Sequence, residues 1–121
     1  MTSADVTILV VEDEPLVAMS IVAHLRDEGF VVLEAANADE AIAILEQNAR
    51  VRLIFTDIDM PGSMDGLKLA AAVRDRWPPV HIIVTSGHRA VTADDLPDGS
   101  MFFAKPYHHA EITDSMRQML G

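Results

Sequence analysis

Four short stretches carry residue types that could act together on a phosphoryl group or a hard metal ion. They are Glu12-Asp13, Thr56-Asp57 with Asp59 two residues on, Thr85-Ser86, and Lys105-Pro106. Three or more carboxylates gathered into a partly buried cleft repel one another. A hard divalent cation relieves that repulsion, and Mg2+ suits such a place because it accepts one or two carboxylates together with waters and phosphate oxygens. A hydroxyl such as Thr85 and a lone ammonium such as Lys105 supply what a triply charged phosphoryl group needs around its oxygens. A carboxylate at the centre can then be the acceptor and form an aspartyl phosphate.

All four stretches follow apolar runs. The runs are Ile8–Val11, Leu53–Phe55, Val80–Val84 and Met101–Phe103, and a fifth, Val31–Leu33, ends in Glu34-Ala35-Ala36 with no comparable group. Each is too short for an ordinary helix, and four are rich in β-branched or aromatic residues, as strands buried on both faces are. Between them the spacing is helical. Leu16, Val17, Ile21, His24 and Leu25 form a stripe in 15–28; Ala41, Ile42 and Leu45 form one in 38–47. Asn37 and Glu40 stand at capping-box positions. Leu67, Ala70, Ala71 and Val73 line a third helix that Pro78 and Pro79 must end, and Ile112, Met116, Met119 and Leu120 line a last one. The segment before the fifth strand offers only Val91 and Leu96 as large apolar residues, so a helix over 90–96 has at most about two turns.

Strand and helix alternating at this spacing predict an α/β fold, a doubly wound five-stranded parallel sheet with helices on both faces. In such a sheet all carboxyl ends share one edge, where ligands bind. If the second strand is outermost, the other four are neighbours about 4.8 Å apart. Asp13 and Asp57 then face each other, with Thr85 and Lys105 further along the row.

Composition narrows the partners. The chain has 121 residues, half of them apolar and only 5% aromatic, which suits one domain with an aliphatic core. Nine Lys and Arg stand against nineteen Asp and Glu, a formal charge of −10 that repels nucleic-acid backbones. There is no cysteine, hence no disulfide or thiolate chemistry. No apolar run reaches the roughly 18 residues of a membrane span, and Met1–Asp5 lacks the pattern of a signal peptide, so the expectation is a cytoplasmic domain, monomeric by default.

Together the stretches 10–15, 55–61 with Asp65-Gly66, 84–87 and 103–107 resemble the receiver domain of two-component response regulators, the CheY-like family, over essentially the whole chain. The resemblance implies the flavodoxin-like (βα)5 arrangement with strand order 2-1-3-4-5. It implies that residues 1–121 are a stand-alone receiver with no output domain. Asp57 is then the phosphoacceptor, served by a sensor histidine kinase or a histidine phosphotransfer protein. Mg2+ is held by Asp13, by Asp57, by Glu12 mostly through water and by the backbone carbonyl of Asp59. Thr85 holds a phosphoryl oxygen and moves on phosphorylation, Lys105 pairs with Asp57, Phe102 is the switch aromatic, and Pro106 follows a cis peptide bond. The output is contact with an unknown downstream protein, or the domain acts as a phosphate sink, and no enzymatic turnover beyond its own phosphorylation and dephosphorylation is implied.

The chain departs from the family pattern in three places. The stretch 60–64 is one residue longer than usual and should bulge the loop beside the site. The segment between Thr85 and Lys105 is short, so the output face is expected to be mobile and to order on phosphorylation or partner binding. Glu12 stands where Asp is common, a familiar variation.

Each group also has a plainer structural reading. Glu12-Asp13-Glu14-Pro15 suits an ordinary helix N-terminus. Lys105 could be a strand-end lysine reaching water. Thr85 is at home in any strand, and Phe102 with Phe103 in any core. His108 and His109 match no strong zinc spacing and read as surface or capping residues; His24 and His81 read as structural. A functional alternative is a Mg2+-dependent phosphatase of the haloacid-dehalogenase type, using Asp57 and Asp59 as its Asp-x-Asp pair, although that motif belongs on a first strand. A third is a receiver fold that only binds partners and is no longer phosphorylated.

Overall fold

A computed structural model describes residues 6–60, 64–87 and 91–121. The elements run β1 (Thr7–Val11), α1 (Pro15–Asp27), β2 (Val31–Ala35), α2 (Ala38–Gln47), β3 (Val51–Asp57), α3 (Gly66–Arg76), β4 (His81–Ser86), β5 (Met101–Ala104) and α4 (His109–Leu120). The five strands form one sheet in the order β2-β1-β3-β4-β5, all pairs parallel. The doubly wound α/β sheet expected from the sequence is therefore present, with β2 outermost.

Alternation along the strands divides the core in two. Leu9, Val11, Ile54, Ile82 and Val84 face α2 and α3, whereas Ile8, Val10, Phe55 and Ile83 face α1 and α4. Both faces are dry, which is why these strands read as unbroken apolar runs. Burying one such aliphatic side chain is worth about 1.5–3 kcal/mol, so the sheet's inner strands hold a rigid frame beneath the site.

The helices begin and end where their local chemistry requires. Pro15 opens α1, and Gly29, at φ 95°, takes the left-handed turn that leads to β2. Asn37 caps α2: its Oδ1 accepts from Glu40 N at 2.9 Å, while Glu40 reaches back to Ala36 N at 3.3 Å. Asp65 caps α3 by accepting from Lys68 N at 2.9 Å.

Three expectations need correction. The helix expected over 90–96 is a single 3-10 turn, Ala93–Asp95, tied by Asp95 Oδ2 accepting from Thr92 N at 3.0 Å; two large apolar residues are too few to hold a longer helix on the sheet. Leu16 does not belong to the buried stripe of α1 but is 80% exposed, the buried positions being Ile21, Val22 and Leu25. In α3 Leu69 is buried with Ala70 and Val73, whereas Ala71 is exposed. The bulge expected in 60–64 falls mostly on 61–63, and Ala90 and the chain start, Met1–Asp5, likewise lie outside the described residues.

Gly66 links fold to site. Its N donates to Ile58 O at 3.0 Å, and a Cβ built on it would lie 2.6 Å from Ile58 Cα. Only hydrogen fits against the turn that follows Asp57. Gly66→Ala should therefore destabilise the protein by about 1–3 kcal/mol, read as a lower urea midpoint at unchanged slope. A variant as stable as the parent would show that this contact relaxes freely.

Candidate functional site

The strand register delivers the site. Asp57 is the last residue of β3 and pairs with Thr85 of β4, which in turn pairs with Phe103 of β5. Glu12 continues β1 by donating its N–H to Ala35 O at 3.1 Å, and Lys105 continues β5 by donating to Ser86 O at 3.0 Å. Four strand tips thus place acids, hydroxyl and ammonium on one edge. The Lys105–Pro106 peptide is cis.

Glu12, Asp13, Glu14 and Asp57 each bring a carboxylate oxygen within 4.8 Å of the others. Lys105 Nζ is the cation among them, 3.0 Å from Glu12 Oε2, 3.2 Å from Asp57 Oδ2 and 3.8 Å from Glu14 Oε1. Glu12 Oε1 accepts from Glu14 N at 3.1 Å, and Asp57 Oδ1 accepts from Asp59 N at 3.3 Å. Asp59 itself points elsewhere, its Oδ2 accepting from Ser86 Oγ at 2.7 Å.

Glu12 and Asp57 are buried, Asp13 is half-buried and Glu14 exposed, so the two buried acids bear the cost of sharing one cation. Burial pushes Glu12 up from 4.5 to about 7, despite the opposing backbone and Lys105 hydrogen bonds. Burial also raises Asp57, although Lys105 pulls the other way. Desolvation alone would lower Lys105, but Glu12 and Asp57 outweigh it and hold its pKa above the ordinary lysine value. Tyr107, packed edge-on against Phe55 at 5.6 Å, is pushed up to about 12 by burial and by Glu12.

Two buried atoms here, Asp13 Oδ1 and Thr85 Oγ1, have no hydrogen-bond partner, and Asp57 Oδ2 has only its ion pair with Lys105. An orphaned buried polar atom is costly, and such atoms mark places built for something else. Two carboxylate oxygens and one hydroxyl are the donor set of a hard cation with an anion beside it, so the residues fit Mg2+ and a phosphoryl group.

The sequence-derived set is thus brought together: Glu12, Asp13, Asp57, Thr85 and Lys105 converge. Asp59 joins through its backbone N–H. Phe102, on β5 three residues before Lys105, is half-buried and packs against the apolar cluster on the α2–α3 side, together with Val91 and Leu96. One member was missed. Glu14 suits a helix start, yet its carboxylate reaches to 3.8 Å from Lys105 Nζ; the signal is a third consecutive acid ahead of Pro15. Ser86, named only as a neighbour of Thr85, holds Asp59. Of the histidines, His108 takes the N-cap position of α4 without a side-chain cap bond, whereas His109 is half-buried against α1 rather than a surface residue.

A family model described as the response regulator receiver domain matches residues 8–117. The chain is 34% identical to the sensor kinase CckA of Brucella abortus over 98% of its own length and 13% of the relative's. It is 39% identical to the nitrogen assimilation regulatory protein NtrX of Azorhizobium caulinodans, over 67% of this chain and 18% of that one. It therefore spans less than a fifth of these relatives. Among solved structures, a response regulator receiver protein from Sinorhizobium medicae superposes with TM-score 0.88 at 30% identity, covering 95% of this chain and 94% of that chain. The receiver domain of the hybrid histidine kinase CckA superposes with TM-score 0.82 at 32% identity, covering 95% and 99%.

Proposed function

The chain belongs to the response regulator receiver domain family, and on that premise we propose that Asp57 accepts a phosphoryl group from a phosphohistidine of a sensor histidine kinase or histidine phosphotransfer protein. The observation that carries this reading is the buried Asp57 Oδ2, ion-paired with Lys105 Nζ at 3.2 Å on an edge where Asp13 Oδ1 and Thr85 Oγ1 have no hydrogen-bond partner. That oxygen attacks phosphorus, the P–N bond of the donor breaks, and the imidazole nitrogen keeps the electron pair. Lys105 Nζ and Thr85 Oγ1 are placed to receive the oxygens of the transferred group. Asp13 and Asp57, with Glu12 and Glu14 nearby and the Asp59 carbonyl, would hold Mg2+, which supplies neutralisation of charge on the phosphoryl oxygens.

The donor has an apolar place to dock. Leu16 is 80% exposed and Met19 66% exposed on α1. Leu16 lines a cavity of about 430 Å3 that also reaches Lys105, Pro106 and Tyr107. Among the described residues no helix is long and apolar enough to cross a membrane, and a cytoplasmic module fits this reading. The Asp-x-Asp phosphatase alternative is disfavoured because Asp59 is engaged by Ser86. The module's work ends with its own phosphorylation and hydrolysis, its signal passing by protein contact or by storage of phosphate.

Incubation with Mg2+ and phosphoramidate or acetyl phosphate should add one acid-stable, base-labile phosphoryl group by mass spectrometry. No gain from these donors or from a phosphorylated histidine phosphotransfer protein would refute the reading.

Glu12 makes a second expectation. Its folded pKa of about 7 lies above the ordinary 4.5, so between these values the folded state holds the extra proton. Stability from this group therefore falls as pH rises through that window, by roughly 3 kcal/mol in full. Without Mg2+, Glu12→Gln should be more stable than the parent at pH 8 and no more stable at pH 4.5. Added Mg2+ should raise the parent's Tm more at pH 8 than at pH 5. Parallel pH profiles for parent and variant would show that Glu12 titrates normally.

A further inference from the structure

Away from the carboxylates, α1 and α4 meet along a three-rung polar ladder. Ser20 Oγ lies 3.3 Å from His109 Nε2, His24 Nε2 lies 3.5 Å from Thr113 Oγ1, and Glu28 Oε2 lies 3.6 Å from Arg117 Nη2. The residues step by four along each helix, so one face of α1 reads one face of α4. The two imidazole rings stand 4.9 Å apart between the first rungs.

The protonation pattern follows from the hydroxyl. Thr113 Oγ1 donates to the backbone, with His109 O and Ala110 O each 3.1 Å away, so toward His24 it can only accept. A hydrogen bond between the two therefore runs from His24 Nε2–H to Thr113 Oγ1, and Glu28 Oε1 lies 3.9 Å from the same nitrogen. His109 faces Ser20 and His24 on α1 and Tyr107, whose ring centroid is 6.1 Å away, just before α4. Among these groups none is a carboxylate that could offset a charge on it.

We propose that His24 and His109 form a pH-sensitive clasp: charging His109, with the His24 ring 4.9 Å away and no carboxylate facing it, parts the first turn of α4 from α1. Ser20 and His109 also line the cavity that holds Leu16, Lys105 and Tyr107, so opening the clasp reshapes the proposed docking face. Burial and the neighbouring His24 both push the His109 pKa below its ordinary 6.5. The folded state then binds less proton than the unfolded one, so His109's contribution to stability is complete above about 6.5 and is lost as the pH falls below it.

The test is an NMR titration of the imidazole Cε1–Hε1 signals in the full chain, with Mg2+ present throughout, for the parent, His24→Gln and His109→Gln. In the parent, His109 should titrate below the ordinary 6.5. In His24→Gln its midpoint should rise by about half a pH unit, the size of one charge at this separation even in water. The backbone amides of Leu16 and Tyr107 should move with the His109 midpoint and lose that transition in His109→Gln. A His109 midpoint unchanged by His24→Gln, or amides that ignore it, would overturn the clasp. If His109→Gln does not fold, the parent and His24→Gln titrations still decide. No phosphoryl donor is involved, so a negative result leaves the role of Asp57 untouched.

Discussion

Asp57→Asn should abolish stable phosphoryl incorporation while leaving the fold intact or firmer. Asp57 is 1% exposed and flanked by three other carboxylates. Asn keeps the shape and can still accept the N–H of Asp59, but its amide is no nucleophile for phosphorus. The loss should be complete by mass, since Glu12 is committed to Lys105 and Glu14 N, and Asp59 to Ser86. Stability should move the other way. The raised pKa of Asp57 means that its ionised form costs folding energy at neutral pH, and the neutral amide removes that cost. Thermal melts without Mg2+ at pH 7.5 should place the variant at or above the parent. A variant that still gains a phosphoryl group would put the acceptor elsewhere; one that unfolds would give Asp57 a structural role instead.

Lys105→Gln is expected to have the next largest effect, with a distinct signature. Its ammonium bridges Glu12 and Asp57 from a side chain only 16% exposed. Removing it leaves four carboxylates without their cation. The transferring phosphoryl group loses one preorganised positive partner, which typically costs a hundredfold or more in rate. Meanwhile Mg2+ should bind several-fold more tightly, because it no longer competes with the ammonium for the same oxygens. Phosphoramidate labelling rates and Mg2+ titrations by calorimetry measure the two effects separately. If both fall together, Lys105 holds the site's structure rather than its charge balance.

The sheet and most of the site were legible for one physical reason. Parallel strands covered on both faces must be continuously apolar, so the residue at which each run stops marks the sheet edge. Ile8–Val11 stops at Glu12 and Leu53–Phe55 at Thr56-Asp57, and their neighbourhood follows from the strand order. Helix faces were less legible. Leu16 continues an apolar period yet projects to solvent, because periodicity does not say where a helix leaves the sheet. Glu14 was hidden by an equally good explanation, the acidic start of a helix before Pro15. His109 could not be placed because its partners lie 89 residues away in sequence, on α1. The segment before β5 was over-read: a helix of up to about two turns is expected over 90–96, but two large apolar residues are too few to hold one on the sheet, and a single 3-10 turn stands there.

The most direct trial of the phosphoacceptor assignment is a crystal structure of the chain with Mg2+ and fluoroberyllate, a tetrahedral stand-in for the phosphoryl group. Beryllium is expected on an Asp57 carboxylate oxygen, with Thr85 Oγ1 and Lys105 Nζ each within hydrogen-bonding distance of a fluorine. Fluoroberyllate on another carboxylate, or an Asp57 still turned to Lys105 with nothing attached at saturating concentration, would contradict the assignment.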